Sequence, residues 1–525
     1  MSNTQQKPNL LYIHTDQHNP YVTGCYGDPL VQTPNLDRLA ANGVVFEDAY
    51  CCSPICVPSR MSMLSGRHPY QNQVWTNSHI LDSGIPTFAH AMGAAGYHPV
   101  LVGRMHSVGP DQLHGYSERL VGDHSPNHVG GGPAVDRGIL DGTAGPDRVS
   151  LIKSGRGQMA YEVHDEYVVA ATVNYLNELG VKKRCDGEIA PFSLSVGLML
   201  PHPPYVSRCI DYDVYMNSIP LPGQHTTYDE ETHEYLKAWR NHTGLEGPDV
   251  EEPATVEETR RARAAYWGLV HRVDIMVGQI LDALEANGLA ENTMIVYTSD
   301  HGDMVGEKGL WWKHVFYEPS VRVPLIVSWP GVIPVGQRSK RVVSAIDVAA
   351  TMVDALGGPP LANSPGRSFL PQIDGRADVP AWEDVAFSEY CADEYVPEAV
   401  GGKTYQRMIR LNEWKLVYYH GFEPQLFNLA KDPEERVDRA GDADCQEIRS
   451  ELMARVLDGW DVDEIAATMA AKRADNDVLC GWAKQTNPPN QYRWDLRPEM
   501  NYLDDFDQES GYAATGKAKL NCTIA

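Results

Sequence analysis

Apolar residues come in two rhythms along this chain. Short, nearly unbroken runs at Leu10–Thr15, Val44–Phe46, Val100–Val102, Phe192–Leu200 and Met294–Ser299 read as strands buried on both faces. Between them lie segments with helical spacing. These are 33–41, closed by Asn42-Gly43; Ile85–Ala95, closed by Gly96; Ala160–Leu179; and Thr255–Asn287, closed by Gly288. In the longest, Thr255 and Glu258 form a capping box, and Ala265, Leu269, Val273, Met276, Ile280 and Leu284 make one apolar stripe. Further readings are a short helix over Ser59–Leu64, a strand over Val321–Val327 and a helix over Ile346–Leu356. Strands alternating with helices predict an α/β fold, a mixed, largely parallel sheet between helices.

Beyond Gly375 the texture changes to short strands at Arg407–Leu411 and Lys415–Tyr419, then Leu426-Phe427-Asn428-Leu429 and a helix at Glu447–Leu457. The expected organisation is a large α/β domain over 1–375, a smaller α+β domain over 376–470, and a tail over 471–525. The tail shows little periodicity and is expected to wrap a neighbouring subunit or its own surface. Residues 122–156, rich in glycine, histidine, proline and aspartate, read as a long surface loop. Residues 207–252 carry no clear period, and the chain has no internal repeats.

A length of 525 residues suits a large domain plus a small one, and 42% apolar content is that of a soluble globular protein. A formal charge of -26 argues against general attraction to nucleic acid. No run approaches the length of a membrane span. The polar start before Asn9 lacks the pattern of a secretory leader, and the ten cysteines follow no disulfide-scaffold spacing, so the cytoplasm is the expected compartment.

The candidate chemistry collects at strand ends, where open α/β sheets gather their ligands. The first strand runs into Asp16-Gln17, and the strand at 294–299 into Asp300-His301-Gly302. Two acidic strand ends with an adjacent histidine suit a hard divalent ion, although an isolated Asp16 would equally cap a turn. Val100–Val102 leads to Gly103-Arg104-Met105-His106, and Phe192–Leu200 to Pro201-His202-Pro203-Pro204. Cys56-Val57-Pro58-Ser59-Arg60 opens the short helix, which places Cys56 at a helix N-terminus that favours an anion. Arg60 can reach back to the same point. Taken alone, Cys56 reads equally well as a buried structural thiol.

Cys56-x-Pro58-Ser59-Arg60 with Ser65-Gly66-Arg67 resembles the signature of the type I, formylglycine-dependent sulfatases of the alkaline phosphatase superfamily. Thr33-Pro34-Asn35-Leu36-Asp37, Asp300-His301-Gly302 and Gly309-Leu310-Trp311-Trp312-Lys313 are similar to that family's phrases in the family's order, from about Asn9 to Glu435. The resemblance implies an alkaline-phosphatase-like fold and a sulfuric ester hydrolase whose nucleophile is a hydrated formylglycine made from Cys56 by a maturation enzyme. It implies one divalent ion, calcium or alternatively manganese, held by Asp16, Gln17, Asp300, His301 and residue 56. Arg60, Arg104, His202 and Lys313 are implied to stabilise the sulfuryl oxygens, with His202 or Lys313 protonating the departing alcohol. Asn77 is implied as a further substrate contact, and His106 as the base that releases sulfate. Most relatives carry Gly-Lys-x-His where this chain has Arg104, and many carry Asp-Asp where it has Asp16-Gln17. The second departure resembles choline sulfatases and phosphonate monoester hydrolases, and the run from Val108 to Gly115 resembles choline sulfatases.

The expected partners are a small-molecule sulfate ester and the maturation enzyme, with no nucleic acid, no membrane, and a homo-oligomer, dimer or tetramer. The alternatives are a phosphonate monoester or phosphodiester hydrolase using the same site, and a non-catalytic binding protein with unmodified Cys56. Room for the alcohol part of the substrate is expected near Asn77, His79, Tyr205 and Trp311, with Trp75 and Trp312 as further aromatic surface.

Overall fold

The computed structural model describes residues 7–131 and 135–504, and the backbone of Phe506–Asp507 and Tyr512–Ala513. Among them, eight strands form one sheet in the order Gln337–Ser344, Val44–Tyr50, Leu325–Ser328, Thr293–Ser299, Asn9–Asp16, Phe192–Pro201, His98–Gly103, Glu118–Arg119. Neighbours are parallel except for the two pairings made by Leu325–Ser328. This is the expected α/β architecture.

Every residue of the first strand is buried, because helices cover both faces. Alternation sends Leu10 and Tyr12 to one core, with Met61, Leu64, Val348 and Met352. It sends Leu11 and Ile13 to the other, with Leu269, Val273, Met276 and Ile280 of the long helix. That helix spans Val256–Ala286, and its capping box is in place: Glu258 N donates to Thr255 Oγ1 at 3.1 Å and Thr255 N to Glu258 Oε2 at 2.7 Å. Parallel pairing brings the carboxyl ends of the strands at Asp16, Gly103, Pro201 and Ser299 to one edge of the sheet.

Several elements differ from expectation. The short helix begins at Cys56 and runs to Ser65. The expected strand over Val321–Val327 is instead a helical turn, Glu318–Val321, followed by the strand Leu325–Ser328. Pro324 lies between the two and has no N–H to extend a ladder. Gln337–Ser344 carries no apolar run because it is the sheet edge, exposed over most of its first half.

A second, antiparallel sheet takes Val385–Ala392, Thr404–Leu411, Trp414–Tyr419 and Gln425–Asn428 in chain order. Helix Gln446–Leu457 packs Leu452 and Val456 on its Ile409 and Leu416. The tail corrects the reading from periodicity, since Val462–Thr486 is one helix. Only Ile465, Met469 and Ala483 on it are buried, which is why no stripe is legible. The chain then returns to the segments around Ser78, Asp123 and Ala160. Asn476 Nδ2 donates to Ser78 O at 3.0 Å, Trp494 N to Asp123 O at 2.8 Å, and Ala160 N to Asn501 Oδ1 at 2.6 Å. Of the two expected surfaces, this part of the tail lies on its own. Among the described residues, no helix is long and apolar enough to cross a membrane.

Candidate active site

Cys56 lies at the meeting point of the strand ends. Lys313 Nζ is 3.0 Å from its Sγ, His301 Nε2 is 3.3 Å away, and Asp16 Oδ1 is 3.6 Å away. Burial, then the Asp16 carboxylate, push the Cys56 thiol up to about 11. It is therefore protonated near neutrality and a weak nucleophile as it stands. Asn77 Oδ1 accepts from the Val57 N–H at 3.0 Å, satisfying one of the first-turn donors of the Cys56 helix.

Asp16, Cys56, Asp300 and His301 are all buried, and each offers a ligand atom within 4.8 Å of the others. Gly302 O accepts from His301 Nδ1 at 3.0 Å, which leaves Nε2 as the inward lone pair. Burial and Lys313 push His301 down to about 4, so the ring is neutral. Two buried carboxylates and one neutral imidazole are donors that fit a divalent ion. Gln17 stands beside this group with both ends engaged. Its Oε1 accepts from Lys313 Nζ at 2.7 Å, and its Nε2 donates to Asp303 Oδ2 at 2.6 Å.

Two arginines hold the carboxylates from behind. Arg60 donates from Nε to Asp300 Oδ2 at 2.8 Å and from NH2 to Asp16 Oδ2 at 3.1 Å. Arg104 donates from Nε to the same Asp16 oxygen at 2.6 Å and from NH1 to Asp123 Oδ1 at 3.2 Å. Burial alone would raise Asp16, but the Arg104 and Arg60 guanidinium groups outweigh it and hold the carboxyl well below its usual range. Gly103 makes the placement of Arg104 possible, for its φ is 89° and a Cβ there would lie 2.2 Å from Gly197 O.

A cavity of about 380 Å³ opens onto this floor, and Cys56, Asn77, Arg104, His106, His202 and Lys313 all line it. The site residues inferred from sequence thus come together, with one difference of placement. Arg60 is fully buried among the carboxylates and is absent from the cavity wall.

The sulfatase family model matches residues 8–358, two thirds of the chain. A choline-sulfatase of Rhizobium meliloti is 31% identical over 94% of both chains. The protein belongs to the sulfatase family. It is a sulfuric ester hydrolase. A second family model, the C-terminal part of N-sulphoglucosamine sulphohydrolase, matches residues 306–460. Arylsulfatase K of Gallus gallus is 29% identical over 82% of this sulfatase and 78% of its own length. Among solved structures, the phosphonate monoester hydrolase of Agrobacterium radiobacter shares the fold. Its TM-score is 0.68 at 24% identity, over 90% of this chain and 96% of that one.

The outer wall of the sulfatase's cavity differs from the expected one. Trp75, His79, Tyr205, Trp311 and Trp312 are buried and do not line it. Tyr205, Trp311 and Trp312 pack with Tyr266 and Trp267 in a separate apolar cluster. The wall comes instead from His124, Arg137 and Tyr161 on one side and from Tyr390, Glu394 and Tyr395, at the end of the second sheet's first strand, on the other. Asp123 was also missed; it accepts from both Arg104 and the His106 N–H, the latter at 3.1 Å. It sits in the glycine- and proline-rich loop, where no periodicity marks one aspartate above another.

Proposed function

We propose that this sulfatase hydrolyses small sulfate monoesters in the cavity above residue 56, after Cys56 has been oxidised to formylglycine by a maturation enzyme. The observation that carries the reading is the triple contact on Cys56 Sγ by Lys313 Nζ, His301 Nε2 and Asp16 Oδ1. A side chain so placed is near a cation, a metal-ligand histidine and a carboxylate at once.

Asp16, Asp300, His301 and residue 56 would hold the divalent ion, with Gln17 at its border. Calcium suits the carboxylates, and the nitrogen of His301 keeps manganese as the alternative. Bound there, the ion would neutralise anionic oxygen and lower the pKa of a hydroxyl on residue 56. Arg104, Lys313 and Asn77 would bind the sulfuryl oxygens, placing sulfur over that hydroxyl for in-line attack. Lys313 is the donor for the departing alcohol. Arg60 pairs with both Asp16 and Asp300, holds the Asp16 carboxyl ionised, and does not touch the ester.

The test is mass spectrometry of the tryptic peptide that contains Cys56, together with turnover of an aryl sulfate, choline sulfate, a phenylphosphonate monoester and a phosphate diester. Formylglycine should be present, a sulfate should be the most efficient substrate, and Cys56→Ala should abolish turnover while leaving the fold intact. Active protein holding only thiol would refute the formylglycine reading. Faster turnover of either phosphorus ester than of both sulfates would refute the substrate.

A further inference from the structure

We propose that Asp303 is a positioning residue for the Lys313 ammonium. It fixes which end of the Gln17 amide faces Lys313, and so aims the proton that Lys313 gives to the departing alcohol. This rests on Lys313 being that donor, as proposed above. In that step the sulfur–oxygen bond to the alcohol breaks and its electron pair stays on the oxygen. A proton from Lys313 Nζ completes the alcohol and leaves a neutral amine.

Asp303 is fully buried and does not line the cavity. Among the described residues its carboxylate forms no ion pair, and three donors converge on it instead. The Val305 N–H reaches Oδ1 at 2.9 Å, while Tyr205 Oη and Gln17 Nε2 reach Oδ2 at 2.7 and 2.6 Å. A buried charge with no cation beside it is costly, and an apolar side chain would avoid that cost.

What the charge supplies is a direction. An ionised carboxylate only accepts, so the atom of Gln17 that faces it is the amide nitrogen. An ammonium only donates, so the atom that faces Lys313 Nζ at 2.7 Å is Oε1. Both neighbours demand the same orientation. The flipped amide would set N–H against N–H at Lys313 and oxygen against oxygen at Asp303. With Oε1 taking one N–H, the ammonium turns the others towards Cys56 Sγ, 3.0 Å away, and towards the cavity that Lys313 lines.

The backbone of Gln17 leaves little slack. Its N–H donates to Asp300 Oδ1 at 3.0 Å and its carbonyl accepts from Tyr266 Oη at 2.6 Å, with φ at 70°. Asp303 is pinned in turn, since its carbonyl accepts from Asn19 Nδ2 at 2.8 Å. A carboxylate at position 17 would accept at both oxygens, would need no guide, and would repel Asp303. The device is therefore tied to the glutamine that stands here.

The test uses the full, matured protein and substituted phenyl sulfates, from para-nitrophenyl, a good leaving group, to para-methoxyphenyl, a poorer one. A misaimed proton donor slows the poorer leaving group more, whereas general loosening slows both alike. A displacement of about 1 Å typically costs about 10²-fold. Asn at 303 has one acceptor oxygen for three donors. Asp303→Asn should lose about 10²-fold in kcat/KM on the methoxyphenyl ester and less than about tenfold on the nitrophenyl ester, with its content of divalent ion unchanged. Lys313→Ala should show a wider gap still. Tyr205→Phe removes a hydrogen bond from the same Asp303 oxygen but leaves Gln17 on it, and should keep the wild-type ratio of the two esters. Gln17→Met breaks the chain of contacts from its other end, and should reproduce the gap even where Asp303→Asn fails to fold. A wild-type ratio in Gln17→Met or in folded Asp303→Asn overturns the proposal. So does an equally wide gap in Tyr205→Phe, or loss of ion in step with activity in Asp303→Asn. A wild-type ratio in Lys313→Ala refutes the donor reading itself, and the aim with it. The matching phenylphosphonate esters keep the aim measurable if sulfates prove the poorer substrates.

Discussion

Replacing Arg60 by methionine should unfold this protein more easily long before it changes how substrate is bound. The guanidinium, Asp16 and Asp300 have no exposed surface, and the two ion pairs are 3.1 and 2.8 Å long. Methionine fills a similar volume but leaves two buried carboxylates without their shared cation. Removing one partner of a buried pair typically costs about 3–5 kcal/mol. Arg60→Lys keeps the charge, yet one ammonium cannot also bond Thr15 O, which NH2 reaches at 3.1 Å. It should lose less, about 1.5–3 kcal/mol, as for a charged hydrogen bond. The assay is equilibrium denaturant unfolding followed by tryptophan fluorescence, at fixed calcium. The pH dependence has a definite sign. Asp16 is held below its unfolded value, so its contribution is present above the ordinary carboxylate range and is lost as pH falls through the folded value. The gap between wild type and Arg60→Met should accordingly narrow on acidification below about pH 4. An unchanged denaturation midpoint with KM alone raised would mean that Arg60 works on the ester, and the reasoning would fail.

Asp300→Asn should lower the content of bound divalent ion and the activity together, measured by elemental analysis and turnover on one preparation; full ion occupancy with the variant inactive would place the ion elsewhere. Asp347, the N3 residue of the capping box on helix Ala345–Ala355, is raised by burial from 3.8 to about 6. A carboxyl raised on folding favours the folded state in its protonated form, so stability falls as pH rises from about 4 to about 6. Asp347→Asn should flatten that slope in denaturant midpoints taken across the window, and an unaltered slope would refute the assignment.

The floor of the site was legible in the sequence for a physical reason. Strands buried on both faces read as apolar runs, so the polar residues that end them, Asp16, His202 and Asp300, stand out at positions where parallel topology must gather them. The direction of a buried side chain is not written in the same way. Arg60 looked able to reach the anion and instead turns to two carboxylates contributed from positions 44 and 240 residues away. Trp311 and Trp312 looked like cavity aromatics, but both pack away from the cavity with Tyr205 and Tyr266. The real outer wall joins His124, Ser125 and Arg137 to Tyr390–Tyr395, and no period in the sequence could announce them. The helix Val462–Thr486 stayed hidden because a mostly solvated helix carries no apolar stripe.

The return of the C-terminal arm has a consequence for the order of events during synthesis. A nascent chain that has emerged as far as residue 460 already holds every proposed ligand and every cation of the floor. It still lacks Asn476, which donates to Ser78 O 398 residues away, and Trp494 and Asn501, which fasten Asp123 and the start of helix Ala160–Asp186. Contacts between residues so far apart in sequence form slowly, and they must wait for the C-terminal arm to emerge. The floor of the cavity can therefore form before the part of its wall that the arm fastens.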